Sequence, residues 1–322
     1  MPLLGRGDSG FESLHPDTMS YEDNFLNSLD YKIKQEEKNP LEDETLVKKL
    51  GERAREKIFS ARPELDDFSG LYSTEEINED KERVSFLQDK FNEIMTPSQE
   101  RMKEVAAIFE AIVIDEAESS EWLGSRAIVY SASEYDDFMN GVDAVAEFKN
   151  NENESDFLAL AMDVTFSSDI ENIEKKINRV LKSVKDGVLT PLKYFADEDG
   201  NQSKMEVPRV VIGADAEMVG ELMKIWDMKS SANEENRKKA KNTLGQHIFQ
   251  TKMLLEIEMQ LKGYGKFAED HGQQEIADLY ENALKIIEEV IEEKKEMIES
   301  HRIQIENDQV FQLIKKSVES LM

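Results

Sequence analysis

The chain has 322 residues, 39% of them apolar, and 69 acidic against 40 basic side chains, for a formal net charge of −29. That charge opposes sequence-blind coating of nucleic acid, which needs positive surface, while leaving room for a local basic patch or for bridging metal ions. The lack of cysteine excludes a disulfide framework and thiolate zinc sites, and no apolar run approaches the roughly 18 residues of a membrane span.

Residues 1–40 are polar, with Gly, Ser and Pro and no period, and are expected to form a disordered tail. The opening MPLLGRGDSG has no signal-peptide apolar core. A cytoplasmic protein without membrane association is therefore expected. The tetrapeptide Arg6 to Ser9 (RGDS) is read as a chance match rather than an adhesion signal.

An N-terminal helical segment is predicted over 41–97, with helices near 41–60 and 81–94 around a loop carrying Pro63 and Gly70. Thr96 or Ser98 can cap the long helix that follows, and Pro97 suits its first turn. Its apolar face is Met102, Val105, Ala106, Phe109, Ile112 and Val113. Glu116 falls in the middle of that face and Glu110 at its edge. A carboxylate on the core side of a helix is costly unless something satisfies it; the alternative for Glu116 is solvation beyond the last buried turn.

After Gly124 the period changes. RAIVYSAS, GVDAVAEF, FLALAMDVTF, PLKYFA and PRVVIG read as short strands between turn signals. A helix interrupts them, with apolar positions Ile170, Ile173, Ile177, Val180, Leu181 and Val184, a capping box of Ser168 and Glu171, and Gly187 as its stop. DAEMVGELMKIW is a later helix. Helix, three strands, helix, two strands and helix make an α/β (α+β) core over residues 98–230, a small mixed sheet flanked by helices. From about 233 to 322 the chain reads as all helix: an antiparallel hairpin or coiled coil, broken around Gly263 to Gly272, with a short last helix. Packing or self-association, or a protein partner, is the expected use of its apolar stripes.

Two strands each keep an acid. Alternate strand residues share a face, so Asp143 lies with Val145 and Glu147, and Asp163 with Ala159, Ala161 and Thr165. Leu158, Leu160, Met162 and Val164 fill the opposite face of the second strand. If the strands are neighbours, two carboxylates converge near one end of the sheet. Oxygen donors of this kind suit Mg²⁺ or Mn²⁺.

Gly141-Val142-Asp143, a turn, then Asp163-Val164-Thr165 twenty residues after the first Asp and followed by a helix, resembles the PD-(D/E)XK nuclease superfamily, its RecB-like branch most. The resemblance covers roughly residues 98–230. It implies a metal-dependent nuclease that hydrolyses nucleic-acid phosphodiesters with activated water. Asp143 and Asp163 would take the places of the two strand acids that bind the metal, and Glu116, or else Glu110, that of the helix acid. The family's motif lysine, which positions or activates the water, is replaced by Thr165, which binds water but supplies no charge. Lys176, flanking the apolar face of the next helix, and Lys193, in the strand PLKYFA, are the candidates to replace it; an ordinary solvated lysine is the alternative for each.

Competing chemistries have little footing. His15, His247, His271 and His301 are scattered without metal spacing, no Gly-rich phosphate loop is present, and the core has no histidine for a Ser-His-Asp triad. Asp136 and Asp137 read as a polar approach loop, with extra metal ligands as the alternative. Asn236 to Lys241 (NRKKAK) is the densest basic run and the natural place for a phosphate contact, if it is not simply a solvated helix face. Two functions stand: a Mg²⁺-dependent nuclease, or a catalytically degenerate nuclease-fold module that serves as an interaction or scaffold protein through its C-terminal helices.

Overall fold

A computed structural model describes residues 41–149, 158–166 and 170–320. The expected disordered tail and the Ser168–Glu171 capping box lie outside the residues, or the side chains, that are described. The architecture is α+β, with a four-stranded mixed sheet, a separate two-stranded hairpin, and helices on both the N- and C-terminal sides.

Among the described residues, three α-helices precede the sheet. Asp43 caps α1 (Glu44–Ala61) by accepting from the Thr45 and Leu46 amides. Ser73 and Glu76 form a capping box on α2 (Thr74–Ile94). Thr96 and Gln99 do the same on α3 (Pro97–Ser119), with Pro97 in the first turn. The apolar stripe of α1, Val47, Leu50, Ala54 and Ile58, buries against α3. Gly51 permits that approach, because a Cβ there would stand 2.2 Å from the Glu104 carboxylate.

The sheet runs β1 (Ala127–Ser131), β2 (Ala144–Phe148), β3 (Leu158–Phe166) and β6 (Arg209–Ala214), in that spatial order. β1 to β3 form an antiparallel meander, and β6 lies parallel to β3. The parallel return passes through α4 (Ile170–Lys185) and the hairpin of β4 (Thr190–Ala196) and β5 (Gln202–Val207). β5, sequence QSKMEV, is not evident from the sequence pattern. It lacks an apolar run because only one edge of it is paired and most of it is accessible.

Each face of the sheet has its own cover. Leu160, Met162, Val164, Val210 and Ile212 join the main core with the helices. Val145, Ala159 and Ala161 pack on Leu192, Phe195 and Val207 of the hairpin. α5 (Ala216–Lys229) and α6 (Glu234–Gly245) follow, and the basic run Asn236 to Lys241 lies in α6, whose buried residues are Ala240 and Leu244.

The C-terminal helices are α7 (Ile248–Asp270), α8 (Gln274–Glu293), α9 (Lys295–Glu306) and α10 (Gln309–Glu319). α7 and α8 form the helical hairpin, with Tyr264 and Tyr280 edge to face at 5.7 Å. α7 runs unbroken through Gly263 and Gly265, and the break falls at His271–Gly272 instead. Gly263 is there for closeness, since a Cβ would stand 2.1 Å from Val318 of α10. α7 also finishes the sheet. Gln260 accepts from the Val211 amide at 2.8 Å and donates to its carbonyl at 2.7 Å, and Glu256 accepts from the Gly213 amide at 3.1 Å. These side chains take up the outer edge of β6, which would otherwise present unpaired backbone groups.

Candidate metal centre

The end of the sheet where β2 begins and β3 finishes is irregular. The β2–β3 ladder is regular up to the pair Ala144 and Met162. One step beyond, the Asp143 amide donates to the Met162 carbonyl at 3.0 Å, while the Asp143 carbonyl stays in register with Ala132. The Val164 amide donates to the Asp143 carboxylate, at 2.6 Å. A side chain thus replaces a ladder bond, and Asp143 is carried to Asp163. The slip also moves Val142 out of the helix-facing core, where strict alternation puts it, into the hairpin-facing one.

Asp163 is buried and holds two cations: Lys176 on one oxygen and Arg209 on the other. Lys176 reaches it from α4, thirteen residues on. Arg209, the first residue of β6, also donates to the Asn140 carbonyl at 2.6 Å. Thr165, two residues further along the same strand face, is buried.

Glu110 is the helix acid that comes to this place. It faces Asp137 across Arg62, whose guanidinium lies 2.6 Å from Asp137 and 3.6 Å from Glu110. Burial, then the Asp143 and Asp137 carboxylates, push the Glu110 carboxyl well above its ordinary range against the pull of Arg62. Burial, then Asp163 and Asp137, raise Asp143 to about 8, with Lys176 and the Val164 amide opposing. Burial also raises Asp137, with Arg62 opposing. Glu110 Oε1, Arg62 Nε and Arg209 Nε are buried without a hydrogen-bond partner. Four acids therefore share one neighbourhood with fewer donors than they can accept from.

Three candidate residues from the sequence sit elsewhere. Glu116 is buried on α3, but its oxygens go to Lys229 at 2.7 Å and to the hydroxyls of Ser120 and Ser119. The six-residue step from Glu110 to Glu116 amounts to about 1.7 helical turns, enough to turn Glu116 away. Lys193 ion-pairs with Asp80 of α2 and lies among the rings of Tyr72, Tyr135 and Tyr194. Asp136 spends both oxygens on Ser133, Asn140 and the Lys193 and Tyr194 amides, clasping β4 to the turn that holds Asp137. His247, His271 and His301 are caps or partners of neighbouring helix residues. Arg62 and Arg209 carry no sequence signal for this site, whereas Asp137, expected in a polar approach loop with metal ligation as the alternative, does come to it. A pair of adjacent acids, EYDD, was the one available signal for Asp137.

Hard oxygen donors, three of them with raised affinity for protons and one with an orphaned buried oxygen, fit a hard divalent cation in kind. Among the described residues no three acidic or histidine side chains already form a cage. A cation would have to compete with Lys176 and Arg209 for Asp163. A groove of about 1070 Å³ opens beside Glu110 and Asp137, walled by Phe59, Phe91, Phe138 and Met95. No known protein family, curated protein or solved structure matches the chain. No helix among the described residues is long and apolar enough to cross a membrane.

Proposed function

We propose that this protein is a Mg²⁺- or Mn²⁺-dependent nuclease of the PD-(D/E)XK kind, hydrolysing nucleic-acid phosphodiesters, with its motif lysine displaced onto α4. The observation that carries this reading is the ion pair of Lys176 with Asp163, at the point where Asp143, Asp137 and Glu110 converge. A lysine in this position supplies the charge that Thr165 cannot. Asp143, Asp163 and Glu110 would hold the ion, with Asp137 beside them. The ion supplies Lewis acidity toward a phosphoryl oxygen and a lowered pKa for water. Lys176 orients water and balances charge developing on the phosphate. Arg209 fixes the Asp163 carboxylate from behind, anchored by the Asn140 carbonyl. Arg62 keeps Asp137 and Glu110 from repelling each other apart. A cytoplasmic protein acting on nucleic acid goes with this reading.

One observation favours the second reading, a degenerate module that acts through protein contacts. Both oxygens of Asp163 are already occupied by cations. The C-terminal helices would supply the contact surface, and Ile303 on α9 is 77% exposed.

Calorimetric titration with Mn²⁺, together with cleavage assays on single-stranded and duplex DNA and RNA, separates the two. The nuclease reading expects metal binding and cleavage. Asp143→Asn keeps the acceptor for the Val164 amide but should abolish binding and lower the rate by roughly a thousandfold or more. Undiminished cleavage by Asp143→Asn would place the chemistry elsewhere. Neither binding nor cleavage with either ion would leave the interaction module.

A further inference from the structure

Three of the four cations around the acid cluster are committed. Arg62 is held by Asp137 and Glu110, Lys176 by Asp163, and Arg209 by Asp163 and the Asn140 carbonyl. The fourth is Arg179. It lies three residues after Lys176 on the same flank of α4, a spacing that puts the two side by side. It is exposed, and its guanidinium makes no ion pair or hydrogen bond among the described residues.

Arg179 nevertheless has a defined place. A Cβ added at Gly141 would stand 3.4 Å from Arg179 Nη1 and 3.0 Å from Arg209 Nη2. Gly141 has φ of 66°, ending the turn Asp136–Asn140 in the left-handed region. That conformation and the two guanidinium groups together call for glycine, two residues before Asp143. Arg209, buried at 3% exposure, still has an unpartnered Nε here. The side of the acid cluster nearest Gly141 is therefore bordered by donors with unused capacity.

We propose that Arg179 receives a non-bridging oxygen of a substrate phosphate next to the reacting phosphodiester, from the place its guanidinium takes over Gly141. The inference rests on the nuclease reading above and names the group that positions its substrate. A guanidinium suits a phosphate because its planar fork can give two parallel hydrogen bonds. Local charge agrees. The four acids Glu110, Asp137, Asp143 and Asp163 meet Arg62, Lys176 and Arg209, with Arg179 close to Arg209, whereas the chain as a whole carries −29. Cations are denser here than over the chain as a whole, so one uncommitted cation counts for more.

The test is fluorescence anisotropy of a labelled single-stranded oligonucleotide with the full-length protein in Ca²⁺, across a series of KCl concentrations. Arg179→Gln should weaken binding about tenfold and lower the slope of log affinity against log salt by roughly one contact's worth. Arg179→Lys should keep the slope and lose part of the affinity. Lys182→Gln, an exposed change on the same helix, should alter neither. Thermal unfolding of Arg179→Gln should match the parent, since the side chain packs on nothing it would leave empty. Equal losses in Arg179→Gln and Lys182→Gln, or no loss in either, overturn the assignment while the metal site stands. Mn²⁺ binding without oligonucleotide binding also overturns it. Absence of both would bring down the nuclease reading, and this assignment with it.

Discussion

Helix α3 buries acids in two places, and their surroundings are opposite. Near its C-terminal end, Asp115 meets Lys57, Lys229 and the Trp226 indole, and Glu116 meets Lys229 and two serine hydroxyls. Burial raises the Asp115 carboxyl, but Lys57, Trp226 and Lys229 more than offset it and hold the group down to about 2. One and a half turns earlier, Glu110 meets Asp137 and Asp143 with Arg62 as its cation, and is pushed well above the ordinary range. Satisfied acids are structural: they tie α3 to α1 and α5. Crowded acids cost stability as they stand, an added cation would offset that cost, and on the reading proposed above the second place is the chemical one.

The largest effect is expected from removing residues 233–322. α7 closes the β6 edge through Gln260 and Glu256, and Phe249, Leu254, Ile257 and Leu261 belong to the main core with Leu160 and Ile212. The remaining chain should lose cooperative unfolding, read by near-ultraviolet circular dichroism and urea titration. A truncated protein that unfolds cooperatively would show that the sheet is independent of these helices.

Next come the two lysines. Lys176→Met should lower the metal-dependent rate by roughly a hundredfold or more, in line with loss of one electrostatic group. Lys193→Met should leave the rate nearly unchanged and lower stability instead, because it strips buried Asp80 of its cation. The reverse pattern would move the site to the tyrosine cluster.

Glu116→Gln should cost about 1–3 kcal/mol in urea unfolding by weakening a buried charged hydrogen bond, with no change in Mn²⁺ affinity. Glu110→Gln should do the opposite, weakening Mn²⁺ binding while leaving stability unchanged or higher. Equal behaviour of the two would erase the distinction between them.

A further effect is a pH dependence. Asp143 is raised to about 8. Below that pH an incoming cation must displace its proton, so Mn²⁺ affinity should rise by up to about tenfold per pH unit toward 8 and level off above. The same group makes a signed contribution to stability. Its folded pKa lies above the unfolded value of about 3.9, so the native state holds the proton more tightly. That stability is fully present below about pH 4 and lost as the pH rises through about 8. Thermal melts across this range should show the decline without metal, and saturating Mn²⁺ should reduce it.

Much of this was legible in advance, and the misses have causes. Alternation placed Leu160, Met162 and Val164 toward the helices, and they lie there. It also let Asp143 and Asp163 converge if their strands were neighbours, which they are, though alternation alone gives no sign that the ladder slips at Val142 and that Asp143 accepts the Val164 amide. Glu116 stood out over Glu110 because it sits mid-face on the helix. Position on a face says that a residue is buried but not what it is buried against, and Lys229, 113 residues away, decides that. β5 carries no apolar signature because it buries little.

The order and kind of most elements followed from the sequence by itself, because periodicity, caps and turn residues act over a few neighbours. Thr96 with Gln99, Pro97 and the apolar stripe of α4 are of that sort. So did the presence of acids on strands that should be apolar. Which acid meets which cation was decided only by the tertiary structure. Arg62 comes from the end of α1, Glu110 from α3, Asp137 from a turn, Asp143 from just before β2, Asp163 from β3, Lys176 from α4 and Arg209 from β6. The charge state of each depends on distances of a few ångströms between residues that the chain keeps far apart, and those distances exist only once the sheet, α1, α3 and α4 are packed together.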